Sequence, residues 1–334
     1  MLPPRVDVLV PFWGLAGGVI KVLDYADHAT QLGIDVFLWA PPIPDSSDLV
    51  MTLPVVERLL NSNRVTIRPI EELALTPESM VLFTEVGHHT LIERATREPL
   101  GANLIHLVQG TRHANPLWND GLNYRLLHRP MTRIAVTDVV AEALAPIVNT
   151  EHRTVTIREG HDWPYFTGRP APRDVAVTRP IRLLYTTWKS DLGERIAERI
   201  TNSNADQAIA CIGVTTELGW PTLRNRYHGA DVFVCTPGPE EGFYLPGLEA
   251  MAAGVAVVTA LVGGNADYVR ADQNALVVPY DDVDAHVDAI ERLANDPALI
   301  ARLVDAGSQT VLDHTLGNER EAFADLLGAL GASS

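Results

Sequence analysis

Lysine is almost missing from this chain. Of its 26 basic residues all but two, Lys21 and Lys189, are arginines. Arginine serves forked contacts, whereas lysine is a compact point charge, so a sequence biased this far marks both lysines as candidate positions for chemistry. Cysteine is equally scarce. Cys211 and Cys235 sit in apolar, strand-like runs (IACIGV, DVFVCTP). That arrangement excludes a disulfide framework and a CxxC metal site and reads as two buried free thiols. A long apolar run is missing too: the longest, AMAAGVAVVTALVGG, is broken by glycines and falls short of a membrane span. The N-terminus MLPPRVDVLVPFW has neither a basic leader nor the apolar length of a signal peptide. The expectation is a soluble, cytoplasmic protein. Positive charge is in deficit, with 42 acidic residues and a net charge of -16. Residues 1–165 carry 13 basic and 19 acidic groups (-6), and residues 166–334 carry 13 and 23 (-10). This distribution argues against nucleic acid or an anionic membrane as a partner.

What is present is a globular composition, 46% hydrophobic over 334 residues, a length that suits two domains. Short apolar runs alternate with amphipathic stretches. VDVLVPF, IDVFLWA, MVLFTE, ANLIHLV, RIAV and TVTI read as strands in the first half; LLYTT, AIACIG, DVFVC, VAVVT and ALVV do so in the second. VIKVLDYADHATQLG, LPVVERLLNSN and DVVAEALAPIV have helical spacing between them. Fully apolar strands separated by helices predict parallel sheets covered on both faces. The Pro- and Arg-rich stretch DWPYFTGRPAPRDVAVTRP separates the two series. The expected organisation is a first domain over 1–165, a linker over 166–180 and a second domain over 181–315. A C-terminal helix over 316–334 is expected to pack back on the first domain. The fold class is α/β, with two doubly wound Rossmann-like domains facing a cleft and ligands at the C-terminal ends of the strands.

One stretch carries most of the chemistry: PEEGFYLPGLEAMAAG, Pro239 to Gly254. Pro246 suits a helix start, because its missing N–H is one of the unpaired amides there. Gly254 suits the end, before the strand VAVVT. Leu245, Leu248 and Met251 make the apolar stripe, and Glu249 lies about 100° from Leu248, off that stripe. The loop EEGFY offers free amides and a positive helix end to a diphosphate, and Gly242 permits close backbone approach. Carboxylates beside an anion site call for a ligand that is both anionic and rich in hydroxyls, and a nucleotide sugar is both.

Glu241 and Glu249, separated by seven residues, resemble the paired-glutamate motif of retaining glycosyltransferases of family 4. The likeness extends over LRNRYHGADVFVCTPGPEEGFYLPGLEAMAAGVAVVTALVGGNADYVRADQNALVVPYDD. IREGHD, Ile157 to Asp162, is similar to the family's Asn-Gly-x-Asp stretch with Glu159 in place of Asn. PFWGLAGG, Pro11 to Gly18, resembles its first glycine-rich loop. The resemblance implies the GT-B fold. It implies that Glu249 holds the ribose, that Glu241 faces the donor sugar, and that the backbone of Gly242, Phe243, Tyr244 and Leu245 meets sugar and diphosphate. Lys189 stands where the family has a basic residue reaching for the diphosphate, although the usual Gly-Arg then Lys-Gly spelling is absent. Gly17 and Gly18 bring a helix N-terminus toward the phosphates. On the acceptor side the resemblance points to Trp13, Glu85, His88 or His89, Gln109 and Arg112; Trp13 either stacks on a sugar or packs.

The implied reaction moves a sugar from a nucleoside diphosphate to a hydroxyl of a small soluble acceptor: a natural product, an aminocyclitol or a saccharide. The acidity of the first domain disfavours docking on an anionic bilayer. No cofactor or metal is expected. Asp282-Val283-Asp284 has the DxD spelling of metal-dependent enzymes, but it precedes AHVDAIERLA and reads as a helix cap with an acid in the first turn. His88, His89, His106 and His113 lack metal-ligand spacing. GLAGG is not a dinucleotide fingerprint, which disfavours a nicotinamide enzyme. Rival readings are another GT-B reaction (epimerisation or phosphorolysis) and a non-catalytic nucleotide-sugar-binding subunit.

Overall fold

The computed structural model describes residues 2–96, 100–148, 153–168, 180–203 and 208–331. The chain divides into two compact units, residues 1–160 with 316–334, and residues 161–315. The expected linker at 166–180 lies outside the described residues from 169 to 179.

In the first unit the strands are β1 (Arg5–Leu9), β2 (Asp35–Ala40), β3 (Val65–Pro69), β4 (Val81–Phe83), β5 (Leu104–Val108), β6 (Thr132–Ala135) and β7 (Thr154–Thr156). They form one parallel sheet in the order β3-β2-β1-β4-β5-β6-β7. The helices are α1 (Gly17–Gln31), α2 (Pro54–Asn61), α3 (His88–Ala95), α4 (Leu122–His128) and α5 (Asp138–Leu144). Central strands such as β5, LIHLV, are buried at every position, as a parallel sheet covered by helices requires. Leu9, Val81, Phe83, Ile92, Leu104 and Leu126 pack together in one core cluster. The strand that the apolar pattern does not reveal is β3. It lies on the sheet edge, where exposed residues such as Thr66 and Arg68 replace an apolar run.

The second unit contains β8 (Ile181–Thr186), β9 (Ile209–Val214), β10 (Val232–Val234), β11 (Ala256–Ala260) and β12 (Leu276–Val278). These are parallel and ordered β12-β11-β10-β8-β9. Its helices are α6 (Trp163–Phe166), α7 (Leu192–Asn202), α8 (Trp220–His228), α9 (Leu245–Ala252), α10 (Val283–Asn295) and α11 (Pro297–Thr310). Ile181, Leu183, Ile196, Val232, Val258 and Ile290 belong to its core. Asp282 caps α10, accepting from the Ala285 amide at 3.0 Å, and Asp284 sits in the first turn. Both cysteines are free, Cys235 buried and Cys211 half-buried. Among the described residues no helix is long and apolar enough to cross a membrane.

The last helix, α12 (Leu316–Gly331), belongs to the first unit. Lys21 fastens it there. The Lys21 ammonium is fully buried and lies 2.9 Å from Asp24 Oδ2, 2.8 Å from Glu319 Oε2 and 2.8 Å from the Gly160 carbonyl. An ammonium has three N–H bonds, and here each finds an acceptor around one nitrogen, a geometry that a planar guanidinium does not reproduce. Burial by itself pulls the Lys21 pKa down, but Asp24, Glu319 and Glu159 outweigh it and hold the group above the usual lysine range. Burial pushes Glu319 the other way, and Lys21 and His28 reverse that to leave its carboxyl below the usual range. His28 Nε2 is 2.8 Å from the same Glu319 oxygen, and Phe323 packs edge-on against Tyr25 at 4.8 Å between ring centres. One of the two lysines is therefore committed to holding the fold together, against the expectation that scarcity marks both for chemistry. Lys21→Met leaves buried carboxylates without their cation and is expected to cost about 3–5 kcal/mol. Urea denaturation of the full chain measures it, and an unchanged midpoint removes Lys21 from this role.

Candidate functional site

In the second unit the strand order reverses between β8 and β10, which lie side by side. In an open parallel sheet this reversal leaves a crevice beyond the strand C-termini, because the two following connections diverge. The segment after β8 supplies Lys189 and Ser190, and the segment after β10 supplies Thr236, Pro237 and Gly238. With Tyr280 they line a shallow, open depression. Lys189 Nζ lies 2.7 Å from Glu241 Oε1, with side chains 45% and 20% exposed. A pair this wet adds little stability, so its ammonium is free to exchange partners.

The loop bearing Glu241 is set from behind. Tyr244 N–H donates to Gly264 O at 2.7 Å, and Tyr268 O–H donates to Tyr244 O at 2.7 Å. The Gly264 turn is braced in turn by Asn265. Its Oδ1 accepts from Val262 N–H at 2.9 Å, and its Nδ2 donates to Thr259 Oγ1 at 3.0 Å and Ala260 O at 2.8 Å. A Cβ on Gly264 would stand 2.7 Å from Glu241 Cβ and 2.9 Å from Glu241 O, so the two loops touch backbone to backbone. This narrows the reading of a loop with free amides, since two of them are spent. The Tyr244 amide is spent on Gly264, and the Glu241 amide donates to Gly238 O at 3.2 Å. Gly242, Phe243, Tyr244 and Leu245 are buried, and the Phe243 ring packs on Tyr268 and His314. The side chains of Phe243, Tyr244 and Leu245 belong to the core.

Glu249 does not stand off the packed side of its helix, as the apolar stripe suggests. Leu245 and Gly247 through Met251 are all buried, because α6 and α11 as well as β11 pack on α9. The Glu249 carboxylate is answered inside. Tyr227 O–H donates to Oε2 at 2.9 Å, and His161 Nε2 lies 3.1 Å from Oε1. Burial, then the Glu249 carboxylate beside it, pushes the Tyr227 phenol well above its usual range, so it stays a donor. Sequence reasoning assigned neither partner a role. His161 was in view all the same, as the variable position of IREGHD, and Tyr227 lies in LRNRYHG.

In the first unit the order reverses between β1 and β4, and several expected residues gather at those strand ends. Gly17 and Gly18 open α1. Gln109, after β5, donates through Nε2 to Gly18 O and to Thr84 Oγ1, both at 2.9 Å, joining the segments after β1, β4 and β5. Trp13 is half-buried and donates from Nε1 to Pro41 O at 3.0 Å. His88 starts α3; burial lowers its pKa to about 4, so the ring is neutral near pH 7. Glu85 and Arg112 are exposed, Arg112 over the Trp118 ring at 5.4 Å. His106 and His113 are buried against each other, and His89 contacts Arg129 at 2.9 Å. Among the described residues no group of three or more His, Cys, Asp or Glu side chains could hold a metal ion.

Two doubly wound parallel α/β units of this kind make the GT-B fold. Residues 185–296 match the family model described as Glycosyl transferases group 1. A 77-residue stretch is 43% identical to the D-inositol 3-phosphate glycosyltransferase of Kribbella flavida, covering 23% of this chain and 18% of that protein. A 150-residue stretch is 31% identical to the lipopolysaccharide core biosynthesis mannosyltransferase LpsB of Rhizobium meliloti, covering 44% of this chain and 40% of that protein. The matched stretches therefore span less than half the length of either curated relative. The structure of Anabaena HepE in complex with UDP superposes with a TM-score of 0.72 at 14% identity, over 97% of this chain and 100% of that one.

The contact of Gly264 with the Glu241 loop leaves no room for a side chain. Gly264→Val is expected to lower stability by about 1–3 kcal/mol through overpacking. Chemical denaturation checks this, and a variant as stable as the parent refutes the back-to-back packing of the two loops.

Proposed function

We propose that this chain is a retaining glycosyltransferase of family 4 that moves a sugar from a nucleoside diphosphate sugar to a hydroxyl of a small soluble acceptor, without a metal. One observation carries the reading. Lys189, Glu241 and Glu249, an ammonium and two carboxylates, lie in the segment that matches the family model, beside the reversal point of a parallel sheet. The diphosphate displaces Glu241 from Lys189, and Glu241, released, faces the sugar hydroxyls. Glu249 accepts from the ribose. As the bond from the anomeric carbon to the diphosphate breaks, negative charge grows on the leaving oxygen and Lys189 stabilises it there. The acceptor oxygen bonds to the same face of the anomeric carbon and its proton passes to the departing phosphate, so configuration is kept. With Asp282 spent as a helix cap, charge stabilisation falls to Lys189.

The two curated relatives are named for a phosphorylated inositol and for a lipopolysaccharide core. By that likeness we assign this chain a polyhydroxylated acceptor, a saccharide or cyclitol, met in the cytoplasm. The net charge of -16 favours a soluble acceptor over one in an anionic bilayer. Trp13, Glu85, His88, Gln109 and Arg112 are the side chains we assign to the acceptor side, with Gly17 and Gly18 toward the phosphates.

Calorimetry with a panel of nucleoside diphosphates tests the reading. One of them is expected to bind, and Glu249→Ala is expected to weaken it roughly 10- to 150-fold, the worth of hydrogen bonds to a charged group. Glu241→Gln is expected to cut turnover more than it cuts nucleotide affinity. Failure of every nucleoside diphosphate to bind the unaltered protein overturns the proposal. Release of the nucleoside diphosphate that depends on acceptor separates transfer from epimerisation and from mere binding. Turnover is expected to survive EDTA; loss of turnover that magnesium or manganese restores refutes the metal-free mechanism.

A further inference from the structure

The Glu249 carboxylate is held on both oxygens by protein donors, His161 on Oε1 at 3.1 Å and Tyr227 on Oε2 at 2.9 Å. Neither donor is free to move. The His161 side chain is fully buried among the rings of Trp163, Phe166 and Trp220, at 4.8, 5.6 and 5.1 Å between centroids. Its backbone amide is tied to His314 O at 3.1 Å. The Nδ1 atom of His161 has no partner among the described residues, so the contact of Nε2 with Glu249 is the hydrogen bond its ring makes there. Tyr227 is likewise buried, with its ring edge-on to Phe233.

Each carboxylate oxygen accepts about two hydrogen bonds, one per lone pair. The protein fills one on each oxygen and leaves one on each. Only 8% of the Glu249 side chain is exposed, so the remaining pair meets a ligand along one approach. Two adjacent hydroxyls, each donating to one oxygen, match what is left. Without its two donors the carboxylate would be a buried charge short of hydrogen bonds. It would rotate toward other donors, and that change destroys the acceptor pair that a diol needs.

We propose that His161 and Tyr227 are positioning residues: through Glu249 they set the affinity for the ribose diol and the preference for ribonucleotides over deoxyribonucleotides. This rests on the reading of Glu249 as the ribose-binding carboxylate. The test uses the full chain and whichever ribonucleoside diphosphate of the panel (UDP, GDP, ADP or CDP) binds it most tightly, together with the 2′-deoxy and 3′-deoxy forms of that nucleotide. The unaltered protein is expected to prefer the ribonucleotide roughly 10- to 150-fold. Tyr227→Phe, which removes one oxygen and keeps the ring, is expected to reduce that preference about tenfold while deoxynucleotide affinity holds. His161→Ala is expected to do the same, and His161→Gln, whose amide can donate in place of Nε2, to recover most of it. Tyr227→Phe decides the matter alone if the histidine variants do not fold. A full ribose preference in folded Tyr227→Phe overturns the inference, and so does an equal loss of ribo- and deoxyribonucleotide affinity, which marks a structural role. Both results leave the proposed function standing. If no nucleoside diphosphate of the panel binds the unaltered protein, the reading of Glu249 fails and this inference fails with it.

Discussion

A parallel sheet has to be covered on both faces, and that constraint governs where this chain can do chemistry. Helices occupy the two faces of each sheet, so the strands read as apolar throughout and offer nothing to a ligand along their length. Polar groups can meet a ligand only beyond the strand ends, and the crevice there opens where the strand order reverses. In the second unit that place holds Lys189 after β8 and Glu241 after β10. In the first it holds Gly18, Thr84 and Gln109, joined by the Gln109 amide.

The two lysines show how far residue scarcity can be read. An ammonium is preferred to a guanidinium wherever three acceptors converge on one nitrogen, or wherever a point charge has to change partners. Lys21 meets the first condition in a dry cluster of carboxylates, and Lys189 stands at a wet edge where, on the proposed reading, it meets the second. Composition alone does not separate these cases. The separating fact is Glu319, some three hundred positions away in sequence, brought to Lys21 by packing of the last helix.

Much of the architecture was legible because it is written in local apolar runs: most of the strands, the end of α9 at Gly254 and the cap at Asp282. The edge strand β3 was not, since an edge needs no apolar run. The burial of Glu249 was hidden for a different reason. A helical wheel assumes one packed face, and α9 is enclosed on several sides, so a position off the Leu248 stripe still lies inside. The Tyr244 amide appeared free because its acceptor, Gly264, sits on another loop. His161 and Tyr227 escaped for the same reason: they reach Glu249 from elements remote in sequence.

On the proposed reading, in which Lys189 receives the diphosphate, the Lys189–Glu241 pair also shapes the kinetics of capture. Before a ligand arrives, the ammonium at the mouth of the site is offset by a carboxylate 2.7 Å away, on a molecule whose net charge is -16. An anion approaching from a distance feels repulsion and meets no attractive field until it is close enough to break the pair. Its encounter rate is therefore limited by the charge of the whole molecule, and added salt, by screening that charge, speeds association where most anion-binding sites are slowed.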